Sequence, residues 1–315
     1  MKYKLFSGNS HQELAACISQ SLDVELGALT ISKFACGETY INMEESVRGR
    51  DVFIVQTCTH NVNDDLMELF LIVDACKRSF AEHIHVIMPH YGYARQDRKS
   101  KIRETISAKM VANMMETVGV SHLITLNLHA DQIQGFFDIP VDNISTRRMF
   151  ANYFIEKKLN LKDVVVVSPD AGGVKAARRF ADKMGVSLAM MHKNRSKHNK
   201  SEVTALIGDV KDKITIIYDD IIDTGGSVCN AKETLIEHGA RPDGVYLAAT
   251  HPVFSGPAIE RLSKAGFKEV VVTNSIPVDP ENRFKGLTVL NIGDLLAKII
   301  TNVIESKSVS MLHEE

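Results

Sequence analysis

The cysteines supply neither a disulfide framework nor a zinc site. Cys17, Cys36, Cys58, Cys76 and Cys229 are odd in number, scattered, and nowhere spaced as Cys-x-x-Cys. A reducing setting suits such usage. Excess charge of either sign is missing too. A formal net charge of -2 with 24% charged residues argues against general nucleic-acid or membrane binding, so an anion site has to come from local basic clusters. No apolar run is long enough for a signal peptide or a membrane span, and the expected location is the cytoplasm. No Gly/Ser linker or low-complexity tract divides the chain. GxxxxGK[ST], kinase HRD and DFG sets and GxGxxG are all absent, so any ATP is held by other means.

What is present is alternation. At 315 residues the chain suits two domains of ordinary size. The apolar runs 52–57, 85–89, 122–127, 164–168, 187–191, 214–219, 245–250 and 269–274 read as strands covered on both faces. Residues 63–79 and 173–185 read as helices, the first with Asn63 as N-cap and acidic residues in its first turn. Ser10 and Glu13 have the spacing of a capping box. The expected class is α/β, each half a mainly parallel sheet flanked by helices. Strand, helix, strand, basic loop and polar strand end occur across 52–131 and again across 164–227, as two copies of one unit would. The boundary falls near Ile144, giving domains 1–144 and 145–315. The tail KSVSMLHEE, with the last helix, either packs back on the first domain or frays.

Ligands of open parallel sheets bind at the carboxyl ends of the strands, and four segments stand there. In DDIIDTGGS (219–227) a Thr-Gly-Gly-Ser turn opens a helix whose free N–H groups and dipole suit a phosphate. The hydroxyls of Thr224 and Ser227 can also donate. Asp219 and Asp220, being acceptors only, suit the vicinal hydroxyls of a ribose. In SPDAGG (168–173) a second glycine turn carries Asp170 at its mouth, which suits a magnesium-bound pyrophosphate. HKNRSKHNK (192–200) is a cationic run with no apolar periodicity, read as a loop that clamps phosphates. PHYGYARQDRKSKIRE (89–104) mixes Arg95, Arg98, Lys99, Lys101 and Arg103 with Tyr91 and Tyr93, and a nucleoside triphosphate is a better match than nucleic acid. His129 and Asp131 end another strand; a lone histidine there carries no assignment by itself.

In this order and spacing, YGYARQDRK, LNLHADQIQGFFDIP, VSPDAGG, DDIIDTGGS and THPVFSGPA resemble ribose-phosphate diphosphokinase, also called phosphoribosyl pyrophosphate synthetase, in its phosphate-activated class. The resemblance covers nearly the whole chain. It implies two type I phosphoribosyltransferase-like domains, the first facing ATP and the second binding ribose 5-phosphate. The implied reaction takes ATP and ribose 5-phosphate to phosphoribosyl pyrophosphate and AMP, for nucleotide biosynthesis. By the same resemblance Lys193 and Arg195 are catalytic. Arg195, Asp219, Asp220, Asp223, Thr224, Gly225, Gly226 and Ser227 bind ribose 5-phosphate. Phe34, Cys36, Gly37, Glu38, Arg95, Gln96, Asp97 and Arg98 bind ATP, the first four reaching across from a neighbouring subunit. His129 and Asp170 contact Mg2+. Ser46, Arg48, Arg103, Ser308 and Ser310 answer to phosphate as activator and ADP as inhibitor. A homo-oligomer, a hexamer built from dimers, is implied as well.

Two departures stand out. Cys36 occupies a position usually acidic in the family, and Asn194 and Ser196 stand where arginine or proline is common. Two other readings compete with the diphosphokinase. A transferase that consumes phosphoribosyl pyrophosphate explains Asp219 to Ser227 but not Arg95, Gln96 and His129. A catalytically silent regulatory subunit is opposed by the retention of Lys193, Arg195, His129 and Asp170.

Overall fold

The fold is taken from a computed structural model, which describes residues 3–194 and 203–310. In chain order these form β1 (Tyr3–Ser7), α1 (Gln12–Leu22), the ribbon β2 (Leu29–Lys33) and β3 (Thr39–Met43), β4 (Asp51–Val55), α2 (Val62–Arg78), β5 (His83–Ile87), α3 (Ser107–Val118), β6 (His122–Leu126) and β7 (Val141–Ile144). There follow α4 (Arg147–Glu156), β8 (Val164–Ser168), α5 (Val174–Met184), β9 (Ser187–Asn194), β10 (Val203–Ile207), β11 (Ile214–Ile222), α6 (Gly226–Glu237), β12 (Val245–Pro252), α7 (Ala258–Ala265), β13 (Glu269–Thr273), β14 (Leu287–Leu290) and α8 (Gly293–Ile304). No helix among the described residues is long and apolar enough to cross a membrane.

Two compact units result. The first comprises Met1–Ser145, Asn274–Pro277 and Asn291–Glu315, the second Thr146–Thr273 and Val278–Leu290. In the first, a five-stranded sheet runs in the order β1-β4-β5-β6-β7, every pair parallel. Period-two alternation sends Phe6, Val52, Ile54, Ile84 and Val86 to one face, against Leu66, Leu69 and Val73 of α2 and Val111 and Met115 of α3. Leu5, Phe53, Val55 and Ile87 are buried on the other face, where α1 and α8 pack together. Each fully buried side chain of this size contributes about 1.5–3 kcal/mol.

The second unit holds a seven-stranded sheet, β10-β9-β8-β11-β12-β13-β14, parallel except where β10 runs antiparallel to β9. Phe150 and Phe154 of α4 and Phe180 and Met184 of α5 cover Val164, Val166, Ile216 and Tyr218 on one face. Val228 and Leu235 of α6 and Leu262 of α7 cover Val165, Val167, Ile217 and Leu247 on the other. Without the β9–β10 hairpin the strand order β8-β11-β12-β13-β14 repeats β1-β4-β5-β6-β7, each with two extra strands after the helix that follows its first strand. Both units thus share one connectivity.

Several local expectations are corrected. Ser10 does not cap α1. Its hydroxyl donates to Gln56 Oε1 at 2.8 Å, while His11 Nδ1 accepts from Leu14 N. Asn61 rather than Asn63 precedes α2, and Asn63 instead takes the Tyr93 hydroxyl. The run at 192–200 opens as strand, because β9 continues to Asn194; paired with Val203 to Ile207 across the hairpin, these residues have ladder partners that a local pattern does not reveal. Likewise β11 extends past the expected run 214–219 to Ile222, so Asp220 as well as Asp219 lies on a strand rather than in the turn.

Candidate active site

In the second unit the carboxyl ends of β8 and β11 carry the two glycine turns. At the first, Ser168 Oγ donates to Asp170 O at 2.7 Å and Gly173 N donates to Asp170 Oδ1 at 2.9 Å, so the exposed Asp170 carboxylate is folded over the start of α5. At the second, β11 is followed by Asp223 and a turn in which Gly225 has φ +72°, the left-handed region that a side chain opposes by about 1–2 kcal/mol. A Cβ on Gly225 would otherwise make only ordinary contacts, 3.5 Å from Leu262. Backbone geometry, not crowding, calls for glycine here. The N-cap of α6 is Gly225, which has no side chain to cap the first turn, so the N-terminal donors of this helix suit an anionic ligand.

Three carboxylates gather electrostatically around these turns. Burial, then the neighbouring charges of Asp220 and Asp170, push the Asp219 carboxyl well above the usual range, although Asp220 N donates to Asp219 Oδ1 at 2.9 Å. Such mutual repulsion is relieved by a cation.

In the first unit the corresponding donors already have partners. At the end of β4, Thr59 N and Oγ1 donate to Asp65 Oδ2 at 2.6 and 2.7 Å. At the end of β1, Asn9 N donates to Glu68 Oε1 at 2.7 Å and Ser10 N to Gln56 Oε1 at 3.2 Å. Gly8 is wedged there, since an added Cβ would lie 2.2 Å from Gln56 Oε1. Internal oxygens therefore occupy the donors of the first unit's equivalent turns; in the second unit Asp170 takes the Gly173 N–H at the β8 turn, while the β11 turn has only a glycine as the N-cap of α6.

The other expected site residues of the first unit cluster by loop. Phe34, Cys36, Gly37 and Glu38 form the turn of the β2–β3 ribbon, closed by Phe34 N donating to Glu38 O at 2.9 Å and Gly37 N to Phe34 O at 2.8 Å. Phe34 is 55% exposed and meets Tyr40 edge-on at 5.7 Å. Arg95, Gln96, Asp97 and Arg98 follow β5. Ser107 Oγ donates to Gln96 Oε1 at 2.6 Å, and Gln132 Nε2 donates to Asp97 Oδ2 at 3.0 Å. His129 and Gln132 follow β6, so that bond ties the 95–98 loop to the segment holding His129. Ser46 and Arg48 sit before β4, with the Arg48 guanidinium 5.3 Å from the centre of the Phe80 ring. Arg103 has φ +68°, and Asn302 Nδ2 donates to Ser308 O at 2.9 Å; Ser310 follows. Lys193 is on β9, and Arg195 lies outside the described residues. Gln132, Ser107 and Ser168 were not anticipated, because each acts through a neighbour and no motif signals that.

Residues 3–119 match the family model of the N-terminal domain of ribose phosphate pyrophosphokinase. Residues 196–314 match that of a phosphoribosyl synthetase-associated domain. The chain is 49% identical over 309 residues to a ribose-phosphate pyrophosphokinase of Fusobacterium nucleatum, covering 98% of this chain and 97% of that one. The chain belongs to the ribose-phosphate pyrophosphokinase family. A ribose-phosphate pyrophosphokinase of Bacillus subtilis is 47% identical over 309 residues, with 98% and 96% covered. The crystal structure of phosphoribosylpyrophosphate synthetase from Mycobacterium smegmatis matches with a TM-score of 0.92 at 44% identity, covering 97% of this chain and 100% of that one.

A divalent cation, implied by the resemblance to this family, fits the donor set. Among the described residues no three His, Cys, Asp or Glu side chains assemble a complete ligand set. Mg2+ needs none, since it is held through one or two carboxylates while water and phosphate oxygens complete its octahedron. Asp170, beside the raised Asp219 and its neighbour Asp220, offers hard oxygen ligands of that kind.

Proposed function

We propose that this chain is a ribose-phosphate diphosphokinase, transferring the β,γ-diphosphoryl group of ATP to the 1-hydroxyl of ribose 5-phosphate to give phosphoribosyl pyrophosphate and AMP. The observation that carries the reading is the uncapped glycine turn at α6 with two carboxylates on the strand before it, in a chain of this family.

In this reading the N–H groups of Gly225, Gly226 and Ser227 and the hydroxyl of Thr224 hold the 5-phosphate, with Asp223 at the turn. Asp219 and Asp220 accept from the ribose hydroxyls, fixing the face of the sugar that meets the phosphoryl group. The ribbon turn at Phe34, Cys36, Gly37 and Glu38, supplied by a neighbouring subunit of a homo-oligomer, and the loop Arg95 to Arg98 bind ATP. Phe34 offers a ring for the adenine, and the guanidiniums are forked donors for phosphate oxygens. Asp170 and His129 hold Mg2+, which when bound neutralises charge on the phosphoryl oxygens. The bond from the sugar O1 to the β-phosphorus forms while the bond from the β-phosphorus to its bridging oxygen breaks. AMP leaves with that oxygen, and the hydroxyl proton passes to solvent. Positioning and cations supply most of the catalysis in such transfers, and Lys193 with Arg195 provides them, one as a point charge and one as a fork. Phosphate activation through Ser46, Arg48, Arg103, Ser308 and Ser310, a hexameric assembly and a cytoplasmic location belong to the same proposal.

Incubation with ATP, Mg2+ and ribose 5-phosphate tests it, with AMP and phosphoribosyl pyrophosphate as the expected products. Ribose 5-phosphate binding without AMP release points instead to a silent subunit. Lys193→Ala lowers turnover at least a hundredfold while ribose 5-phosphate affinity stays within about threefold, in keeping with transition-state stabilisation by one charged group; near-normal turnover removes Lys193 from the chemistry.

A further inference from the structure

The turn to which the proposed function assigns the 5-phosphate has no cation of its own. From Asp219 to Ser227 the chain carries three carboxylates and no lysine or arginine. A helix N-terminus offers the equivalent of roughly half a charge, little against a dianion in acidic surroundings. A cation reaches this turn from α7. Arg261 Nη1 donates to Thr224 O at 3.0 Å, and the same nitrogen would lie 3.3 Å from a Cβ on Gly226. Among the described residues Arg261 makes no ion pair. Its neighbour Glu260 pairs with Lys264 at 2.6 Å instead, so the guanidinium charge stays directed at the turn.

The bond also controls direction. The described chain has no cis peptide bond, and in a trans peptide the carbonyl and the following N–H point to opposite sides. Holding Thr224 O therefore sets where Gly225 N–H points. Gly225 at φ +72° is a residue around which a peptide turns over easily, so this direction needs an external hold. The preceding carbonyl is held by the same segment, since Ser255 N donates to Asp223 O at 3.0 Å. The segment from Ser255 to Arg261 thus fastens two successive carbonyls and leaves the N–H side to a ligand.

We propose that Arg261 is a positioning residue for the phosphate end of the ribose 5-phosphate site. It fixes the Thr224–Gly225 peptide with its N–H toward the phosphate and places a full positive charge behind the turn. The assignment rests on reading Asp219 to Ser227 as the phosphate cradle. Because the Arg261 guanidinium bonds to the turn, its effect falls on one substrate and, through phosphate charge, on its dianion.

The test compares the full chain with Arg261→Ala and Arg261→Lys. In Arg261→Ala the KM for ribose 5-phosphate and its dissociation constant by calorimetry rise about tenfold, the loss of one hydrogen bond from a charged donor. The KM for ATP stays within twofold, and raised ribose 5-phosphate restores kcat. Arg261→Lys, keeping the charge but not the planar fork, recovers part of the affinity, and it keeps the comparison open if the alanine variant does not fold. Unchanged ribose 5-phosphate affinity in a folded Arg261→Ala protein overturns the proposal. So does an equal rise in both KM values together with a lower melting temperature, the mark of a purely structural role. If the wild-type chain binds ribose 5-phosphate but releases no AMP, the diphosphokinase reading fails, and the calorimetric comparison still decides Arg261.

Discussion

At Asp219 stability and binding pull in opposite directions. Burial and the charges of Asp220 and Asp170 raise its carboxyl well above the usual range, so ionising it works against the fold. The sign follows from linkage: a carboxyl with a raised folded value favours the folded state more as pH falls through that value, and less above it. Asp219→Asn removes the repulsion at nearly constant shape. It is expected to stabilise the ligand-free protein by roughly 1 kcal/mol, raising the melting temperature by about 2–4 °C, and to weaken ribose 5-phosphate binding at least tenfold. Scanning fluorimetry and calorimetry on one preparation check both; a lower melting temperature contradicts the account. Gly225 and Gly8 show two other demands on a single position. The first needs a left-handed backbone, whereas the second needs the absence of a Cβ beside Gln56.

Among elements, the row formed by β4, β5, β6 and β7 carries a polar stripe on a parallel sheet. The His85 ring stacks on Phe53 at 4.4 Å and 11°, its Nδ1 lies 3.1 Å from His122 Nδ1, and His122 Nε2 lies 3.1 Å from Asp142 Oδ2. With Asp142 taking the His122 Nε2–H, His122 Nδ1 is the acceptor and His85 Nδ1–H the donor. Burial, then the nearby His122, lower the His85 value to about 4, with His83 acting in the same sense and Asp51 against it. A depressed histidine binds its proton more readily when unfolded, so stability is complete above about pH 6.5 and falls as pH drops toward 4. His85→Phe keeps the stack and removes the titration. Its melting temperature is expected to vary less with pH between about 4 and 6.5 than that of the wild type, a difference worth roughly 2 kcal/mol at the acid end. Parallel slopes for the two proteins contradict this.

On the scale of the whole molecule, the first unit is not continuous in sequence. It is completed by residues 274–277 and 291–315, with α8 laid on α1 and burying Leu296, Ile299 and Ile300. Polar ties hold the returning chain: His11 Nε2 donates to Asn274 O at 2.7 Å, Thr57 Oγ1 to Ser275 O at 2.8 Å, and Ser21 Oγ to Asp294 Oδ1 at 2.7 Å. Three large apolar side chains at about 1.5–3 kcal/mol each rival the 5–15 kcal/mol by which a domain is stable. The fragment 1–145 alone is therefore expected to show no cooperative thermal transition by circular dichroism. Joining residues 291–310 to it through a flexible linker restores one. A fragment that melts cooperatively without α8 rules out this dependence.

How much of this could be read beforehand depends on range along the chain. The eight apolar runs and the Gly-Gly turns are encoded within a few consecutive residues, and strand cores such as Val164 to Ser168 and the turn before α6 follow from periodicity and backbone freedom alone. The short strands β1, β7 and β14 and the ribbon β2–β3 passed unmarked, since four or five residues of mixed polarity acquire strand character only from neighbours in the sheet. Ser10 is a natural cap by composition, yet the Gln56 side chain claims its hydroxyl, and the strand run past Asp219 to Ile222 followed from continued pairing with β12. The amino-acid order was enough to specify two α/β halves, the glycine turn and its acidic neighbours, because those depend on local geometry and charge. Which turn remains open to a ligand, which is filled by Glu68 or Asp65, and which carbonyl Arg261 holds were decided only by folding, because each depends on a side chain brought from a distant part of the chain.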